Sequence, residues 1–443
     1  MDILWDKKTL GDCIDTIIDY RGKTPKKSPF GVPLITAKIV KSGQILPAQE
    51  FILEKDYDSW MTRGKLNKGD VIITTEAPLG EVAQLEKSKV ALAQRVIALR
   101  GKSNILDNTY LRFLLQSNYI QEQLKARSAG TTVFGINKAE LKKIILPIPP
   151  IKEQKKISDL LNSIENKIQL YNQMNSTLDS IIESTFKSWF VDFSPVIWNA
   201  AEKNYPIPGE LLNKNESFPE KSIPLKNKLR NAFPDKFSWE KNFGWLPESW
   251  GIVNLHHIAD FINGGKYEAS SLSQDKIGIP IIKIAEVKQG ISKQTRYSKS
   301  IFSEKHRIQD GEILFCWSGN PDTSIGTFIW TGGEAWLNQH IFRVIPKDKE
   351  MKLFIYCQLK ALSEKFTEIA RNKQTTGLGH VTKKELFKIV VPKCKQKTLD
   401  EFNLITEPLL EKKLTNISLI KKYTSFQTLL FLNFLSGYNN FNT

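Results

Sequence analysis

The chain has 443 residues, of which 41% are hydrophobic and 25% charged; this ordinary globular balance predicts two or three domains, each able to bury a core. Lysine and arginine number 63 against 47 acidic residues, a formal net charge of +16, which favours a polyanionic partner, nucleic acid first. The longest apolar run, Leu429 to Leu435, is broken by Asn433 and falls short of the ~20 residues of a membrane helix.

The N-terminal segment lacks a basic stretch followed by an apolar one, so no signal peptide is expected and the protein reads as soluble and cytoplasmic. Cys13, Cys316, Cys357 and Cys394 form no CxxC pair and no zinc-spaced cluster with histidine. Buried thiols in a reducing compartment are the expectation.

In chain order, residues 1–150 open with β-rich runs at Val32–Ala37, Asp70–Thr75 and Ala91–Leu99. A helix marked by Leu111, Leu114, Leu115 and Leu124 follows. Asn137 and Glu140 have capping-box spacing, and Ile144–Leu146 reads as a short strand ended by Pro147. Residues 151–194 predict one long helix. No glycine or proline occurs from Ile151 to Phe190, and Ile157, Leu161, Ile164, Ile168, Tyr171, Leu178 and Ile182 recur at three- and four-residue steps. Residues 195–247, with Pro206, Pro208, Pro219, Pro224 and Pro234, read as a loop or extended linker.

Residues 248–393 repeat the first pattern. Gly278 opens a segment like that at Gly31, 247 residues earlier, and Gly311-Glu-Ile-Leu-Phe matches Gly69-Asp-Val-Ile-Ile. Gln339-His-Ile-Phe follows Gln94-Arg-Val-Ile by 245 residues, and Thr382 to Pro392 follows Asn137 to Pro147 by the same interval. The second copy has strand runs at Ile279–Ile284, Glu312–Trp317 and His340–Ile345, a helix marked by Phe354, Cys357 and Phe366, and a capping box at Thr382 and Glu385. Residues 394–443 predict a second long helix that Pro408 kinks or restarts. The fold class is therefore α+β: two similar mixed α/β domains and two long helices, each of which needs the other to cover its apolar stripe.

Several chemistries lack their motifs. Gly22-Lys23-Thr24 resembles the end of a phosphate loop, but Ile17 stands where the first glycine is needed. No glycine-rich GxGxxG segment and no Asn-Pro-Pro-Tyr-type tetrapeptide is present. Pro321-Asp322 with Glu350-Met-Lys352 is the nearest approach to a nuclease pattern, and the first copy has no counterpart. The five histidines, His256, His257, His306, His340 and His380, are scattered and all lie in the second copy.

Sequence readers combine phosphate contacts from lysine, arginine and small polar groups with a few side chains that reach base edges. Candidate DNA-binding positions in the first copy are Tyr20, Arg21, Lys23, Thr24, Lys26 and Lys27 in a basic loop. Thr75 and Glu76 follow a strand, and Arg127, Thr131 and Thr132 precede the first cap. Their counterparts in the second copy are Lys266 and Tyr267; Trp317, Ser318 and Asn320; and Arg371, Lys373, Gln374 and Thr375. The alternative at each position is a solvated surface loop.

The order of repeated domain, long helix, repeated domain, long helix resembles the specificity subunit of type I restriction–modification enzymes. Pro147-Ile-Pro-Pro-Ile-Lys-Glu-Gln154 looks like the family's start of the first conserved helix. Phe186-Lys-Ser-Trp-Phe-Val-Asp-Phe-Ser-Pro195 is similar to that helix's ending, and Gly244-Trp-Leu-Pro-Glu-Ser-Trp250 to the opening of the second recognition domain. The segment Cys394-Lys-Gln-Lys-Thr-Leu-Asp-Glu401 departs from the pattern, lacking the paired prolines and the Glu-Gln. The resemblance implies a non-catalytic subunit whose two domains each read half of a split DNA site. It further implies that the two long helices pack as an antiparallel coiled coil, hold the domains apart about a pseudo-two-fold and dock two methylating subunits, joined by two ATP-driven translocating and cleaving subunits. S-adenosylmethionine, ATP and magnesium would then be bound by those partners. Phe186, Trp189 and Phe190 are the candidate partner-binding residues, the alternative being burial within the two-helix seam. Two rival classes remain: a stand-alone DNA-modifying or cleaving enzyme with duplicated recognition domains, and a scaffold with basic, non-specific domains.

Overall fold

The protein, seen in a computed structural model, is described over residues 5–41, 43–130, 134–214, 227–273, 275–374 and 377–435. It folds as two compact units, Met1–Leu170 with Ile420–Thr443, and Tyr171–Leu419.

The first unit contains β1 (Asp6–Thr9), β2 (Ile14–Asp19), β3 (Val32–Ile35), β4 (Val71–Thr75), β5 (Leu79–Gln84), β6 (Ala91–Leu92) and β7 (Val96–Gly101). Then come α1 (Asn108–Gln116), α2 (Asn118–Ala126), α3 (Lys138–Lys142) and β8 (Ile145–Ile148). A four-stranded antiparallel sheet has the order β2-β7-β4-β5. All five residues of β4 are buried, because both faces of the sheet are covered. Val71, Ile73, Ile97 and Leu99 pack with Leu111, Leu114, Leu115 and Leu124 of α1 and α2. Ile72 and Ala98 pack with Val32, Leu34, Ile35 and Leu92 on the other side. A strand buried on both faces reads as a continuous apolar run rather than an alternating one.

Local chemistry corrects several expectations. The run Ala91–Leu99 is two strands: β6 pairs in parallel with β3, while β7 is central in the larger sheet. The expected single helix is broken at Ser117, whose Oγ accepts from the Ile120 amide at 3.2 Å and starts α2. Asn137 caps α3, accepting from the Glu140 amide at 2.9 Å. The Glu140 carboxylate turns to Lys143 and Arg127 at 2.6 and 3.5 Å, so only half of the box forms. Strand β8 continues through Pro147, which stands opposite Lys7 of β1; a two-stranded edge pairing tolerates a missing amide.

From β8 the chain enters α4 (Ile151–Phe186), 36 residues long, or ~54 Å at the helical rise. In the first unit its start is tied to the domain. Arg112 Nη2 lies 2.7 Å from Glu165 and donates to Asn162 Oδ1 at 2.8 Å. Ile157, Leu161 and Ile164 pack in the core that also holds Leu430 and Phe434.

The second unit begins with the rest of α4, which ends in a π turn at Lys187–Val191. The expected linker holds α5 (Ser194–Glu202) and a hairpin of β9 (Phe237–Glu240) and β10 (Gly244–Pro247), while its Pro219 and Pro224 lie outside the described residues. Then follow β11 (Gly251–Asn254), β12 (Ala259–Asn263), β13 (Ile279–Ile282), β14 (Ile313–Cys316), β15 (Gly326–Ile329), β16 (Ala335–Leu337) and β17 (Ile341–Pro346). The unit closes with α6 (Lys352–Ala361), α7 (Ser363–Asn372), α8 (Lys383–Lys388), β18 (Val390–Lys393) and the start of α9 (Gln396–Leu435). Its large sheet has the order β12-β17-β14-β15, the same as in the first unit. The parallel pair β13–β16 and the antiparallel pair β11–β18 also recur, the latter again running through a proline, Pro392. A cross-strand fork is repeated as well. Arg100 grips Asp70 with two bonds of 2.7 Å, and Arg343 grips Glu312 with bonds of 2.6 and 2.8 Å. Here the capping box is complete, since the Thr382 amide donates to Glu385 at 2.8 Å.

In this unit α4 and α9 pair antiparallel: Asn416 donates to Asn175 at 2.9 Å and Lys413 to Asp179 at 2.6 Å. Pro408 lies inside α9 without interrupting it. The π turn brings Phe186, Trp189, Phe190 and Phe193 all into the interior. Ring centroids lie 5.0 Å apart for Phe190–Phe354, 6.0 Å for Phe186–Phe402 and 4.9 Å for Trp189–Phe233. The expectation that Phe186, Trp189 and Phe190 offer a surface to partners is corrected: they are 1%, 5% and 1% exposed. Three large aromatics at the end of a helix gain more by filling one core than by facing water.

The Asn175–Asn416 bond is buried in the helix seam, where losing one partner strands the other. Asn416→Leu alone is expected to lower stability by about 1–3 kcal/mol. Asn175→Leu with Asn416→Leu is expected to recover most of that loss, a coupling that urea unfolding in a double-mutant cycle measures.

Candidate nucleic-acid interface

Three of the loops singled out in the first copy meet in the first unit. The turn between β4 and β5 is bound to the segment before α3: the Ile136 amide donates to Thr75 O at 3.0 Å, and Glu76 bridges Gly135. The Thr75 amide donates to Arg95 O at 3.0 Å. From the basic loop, Arg21 Nη2 donates to Ile136 O at 2.7 Å. Arg63 braces the same loop by donating to Asp19 O and Arg21 O at 2.8 and 3.2 Å. Arg95 Nε lies 2.9 Å from Glu76 Oε1. The outcome is a polar patch of the exposed Arg21 and Arg95 with the half-buried Glu76, beside the exposed Lys23, Thr24 and Lys26.

Two residues expected here are internal. Tyr20 is fully buried, stacks on Trp60 at 5.1 Å and accepts from the Arg63 amide at 2.8 Å; burial pushes its phenol above the ordinary value. Thr75 is 1% exposed, since it is still part of β4. Lys27 pairs with Glu50 at 3.0 Å and Arg127 with Glu140 at 3.5 Å, so both are partly neutralised within the fold. Thr131 and Thr132 lie outside the described residues.

The second unit builds the same frame from different side chains. The Val381 amide donates to Trp317 O at 2.8 Å, Ser318 pairs with His380, and the Trp317 amide donates to His340 O at 3.3 Å. The Gly264–Gly265 turn fits against Leu337 and Asn338, with the Gly265 amide donating to Leu337 O at 2.7 Å. A Cβ on Gly264 would stand 2.2 Å from that carbonyl oxygen, so only glycine permits this approach. Trp317 stacks on Phe342 at 5.6 Å, and the rings of His340 and His380 each lie 5.8 Å from it. Ser318 Oγ lies 3.0 Å from His380 Nδ1. Burial, with repulsion from His380 and Lys283, lowers the pKa of His340 and favours the neutral imidazole.

Of the expected residues in this copy, Lys266, Asn320 and Gln374 are exposed. Asn320 also caps a turn, accepting from the Asp322 and Thr323 amides at 3.0 and 3.1 Å. Ser318 is buried and Trp317 half-buried. The Tyr267 hydroxyl donates to Leu337 O at 2.9 Å, and burial pushes it up to about 12; its role is to hold the turn. Arg371 pairs with Asp322 and Lys373 with Glu385. Thr375 lies outside the described residues. Arg63, Arg95, His340 and His380 were not anticipated. The repeat alignment carried the signal for two of them, because Gln94-Arg and Gln339-His are matched dipeptides whose second residues differ.

Among the described residues no group of three or more His, Cys, Asp or Glu is placed to hold a metal ion, and no helix is long and apolar enough to cross a membrane. Cys13, Cys316 and Cys357 are buried, Cys394 half-buried, and all four are free.

The family model described as the type I restriction modification DNA specificity domain matches residues 3–180 and 247–430, once over each copy. The MjaIX type I specificity subunit of Methanocaldococcus jannaschii is 24% identical over 440 residues, covering 94% of this chain and 90% of that protein. The HindI specificity subunit of Haemophilus influenzae is 24% identical over 402 residues, covering 84% and 87%. A crystal structure of a type-I restriction–modification S subunit from M. genitalium has the same fold, with a TM-score of 0.54 at 15% identity, covering 99% of this chain and 97% of that one.

The Lys373–Glu385–Thr382 cluster clamps the segment at the root of the second frame. Burial alone would raise the Glu385 carboxyl, but hydrogen bonds from Lys373 and Thr382 outweigh it and hold the pKa at about 2, below the ordinary 4.5. A depressed folded pKa means that its stabilisation is complete above pH 4.5 and is lost as the pH falls toward 2. Glu385→Gln is expected to flatten that part of the acid-unfolding curve, followed by circular dichroism, while leaving the curve above pH 6 parallel to that of the parent.

Proposed function

The chain belongs to the type I restriction–modification DNA specificity family, and on that premise we propose that its two frames each read one half of a bipartite DNA site. The observation that carries this reading is the repeated frame. The same three backbone bonds hold a turn, a loop and a strand end in both units, yet the side chains they present differ in chemistry. One scaffold with two faces suits an asymmetric site. The net charge of +16 and the exposed Arg21, Lys23, Lys26 and Lys266 supply phosphate contacts, which add affinity without selecting sequence.

The helices set the spacing between half-sites, as a rod of fixed rise is well suited to do. They also dock two methylating subunits, which two ATP-driven translocating and cleaving subunits join. With Phe186, Trp189 and Phe190 internal, docking falls to exposed apolar side chains on the same helices: Leu170, Leu404, Phe426 and Leu429. In this reading the subunit performs no chemistry itself, and S-adenosylmethionine, ATP and magnesium bind to the partners.

Co-expression with methylating partners, followed by mapping of methylated DNA, tests the proposal. A single motif of two short half-sites around an unspecified gap is expected. Inserting about one helical turn of four residues between Ile157 and Ile182, with a matching insertion in α9, is expected to change the gap and leave both half-sites intact. Changed bases with an unchanged gap would rule out the spacer role, and cleavage or methylation by the purified chain alone would refute the non-catalytic reading.

A further inference from the structure

We propose that Glu76 and Arg95 act together as the reader of one G·C base pair in the half-site of the first unit, an assignment that rests on the half-site reading above. Shared backbone bonds make positions of the two units equivalent. The amide-to-carbonyl bond from Thr75 to Arg95 recurs from Trp317 to His340, and the bond from Ile136 to Thr75 recurs from Val381 to Trp317. The bridge Glu76–Gly135 recurs as Ser318–His380. Thus Glu76 and Arg95 hold the places that Ser318 and His340 hold in the second unit. The frame is kept and the presented chemistry is replaced, as expected of positions that choose bases.

The pair also has the functional groups for one base pair. Its side chains are 51% exposed at Arg95 and 35% at Glu76. Arg95 Nε lies 2.9 Å from Glu76 Oε1, and its two Nη groups donate to none of the described residues. A guanidinium edge of that kind matches guanine O6 and N7, and a carboxylate oxygen accepts from cytosine N4. Pre-pairing matters when water is excluded, because acid and base then leave no charge uncompensated on the groove floor. The fork between Arg100 and Asp70 in the same sheet shows the contrasting, structural use of the two residue types. There both carboxylate oxygens are engaged, and the Asp70 side chain is 2% exposed. Glu76 and Arg95, by contrast, keep an open edge. In the second unit the exposed His340 and the half-buried His380 offer imidazole groups instead, with Ser318 buried against His380, so the two half-sites differ in sequence.

The test uses the full chain assembled with its methylating partners. Methylated motifs are mapped, and binding to duplexes altered one base pair at a time is measured by competition. Arg95→Ala and Glu76→Gln are each expected to reduce preference at one G·C pair of one half-site by roughly tenfold or more. The other half-site and the gap should not change. Glu76→Ser with Arg95→His, which places the second unit's residues in the first frame, guards against a folding defect and should also abolish the G·C preference. A parent motif with no G·C pair in either half-site would overturn the assignment, as would variants that keep the parent preference at every position. Equal weakening on all duplexes would make Arg95 a phosphate contact and equally reject it. If the parent complex yields no defined motif, the half-site reading itself fails, and this assignment with it.

Discussion

In each unit one strand is buried on both faces and flanked on both edges, and the rest of the domain is arranged around that constraint. Val96 to Leu99 and Ile341 to Val344 lie between two antiparallel neighbours. A chain buried in this way has no water to satisfy its amides, so its register must be met by β2 and β4, or by β12 and β14. The cross-strand forks Arg100–Asp70 and Arg343–Glu312 pin that register in both copies, with matching acidic residues but arginines at different positions of the central strand. With the sheet held, the turns at its end are free to vary.

The proposed reading of DNA depends on that division of labour. The repeated frames are made by backbone bonds among segments far apart in sequence, such as residues 75, 95 and 136. Backbone bonds are indifferent to side-chain identity, so a reader can exchange the groups it presents without refolding. Glycine is needed where main chain meets main chain, as at Gly264 against Leu337. The residues that look most like a reader in sequence are not always those displayed: Tyr20 and Tyr267 serve as internal struts, and their hydroxyls are committed to the backbone.

The paired helices answer a different requirement. Apolar side chains such as Ile182 and Leu410 are buried on these helices, and apolar contacts alone permit sliding by a turn. The Asn175–Asn416 bond and the Lys413–Asp179 pair give one register a polar match that shifted registers lack. At the end of α4 the aromatic cluster of Phe186, Trp189 and Phe190 locks the helix into the core of the second unit. The helix direction is thereby fixed relative to the domain it enters.

Much of this was legible before any coordinates. The repeat, the long helices, the caps at Asn137 and Thr382, and the basic loops all follow from local pattern, because periodicity and capping are decided within a few residues. The division of Ala91–Leu99 into strands of two sheets, the helix Ser194–Glu202 and hairpin Phe237–Pro247 in the expected linker, and the inward turn of Trp189 were not legible there. Nor was the meeting of Glu76 with Arg95, or of Trp317 with His340 and His380. Composition and spacing determined that this protein holds two basic α/β domains and two rods. Only tertiary contact decided which side chains face solvent, since burial depends on what arrives from elsewhere in the chain, and no local window contains that information.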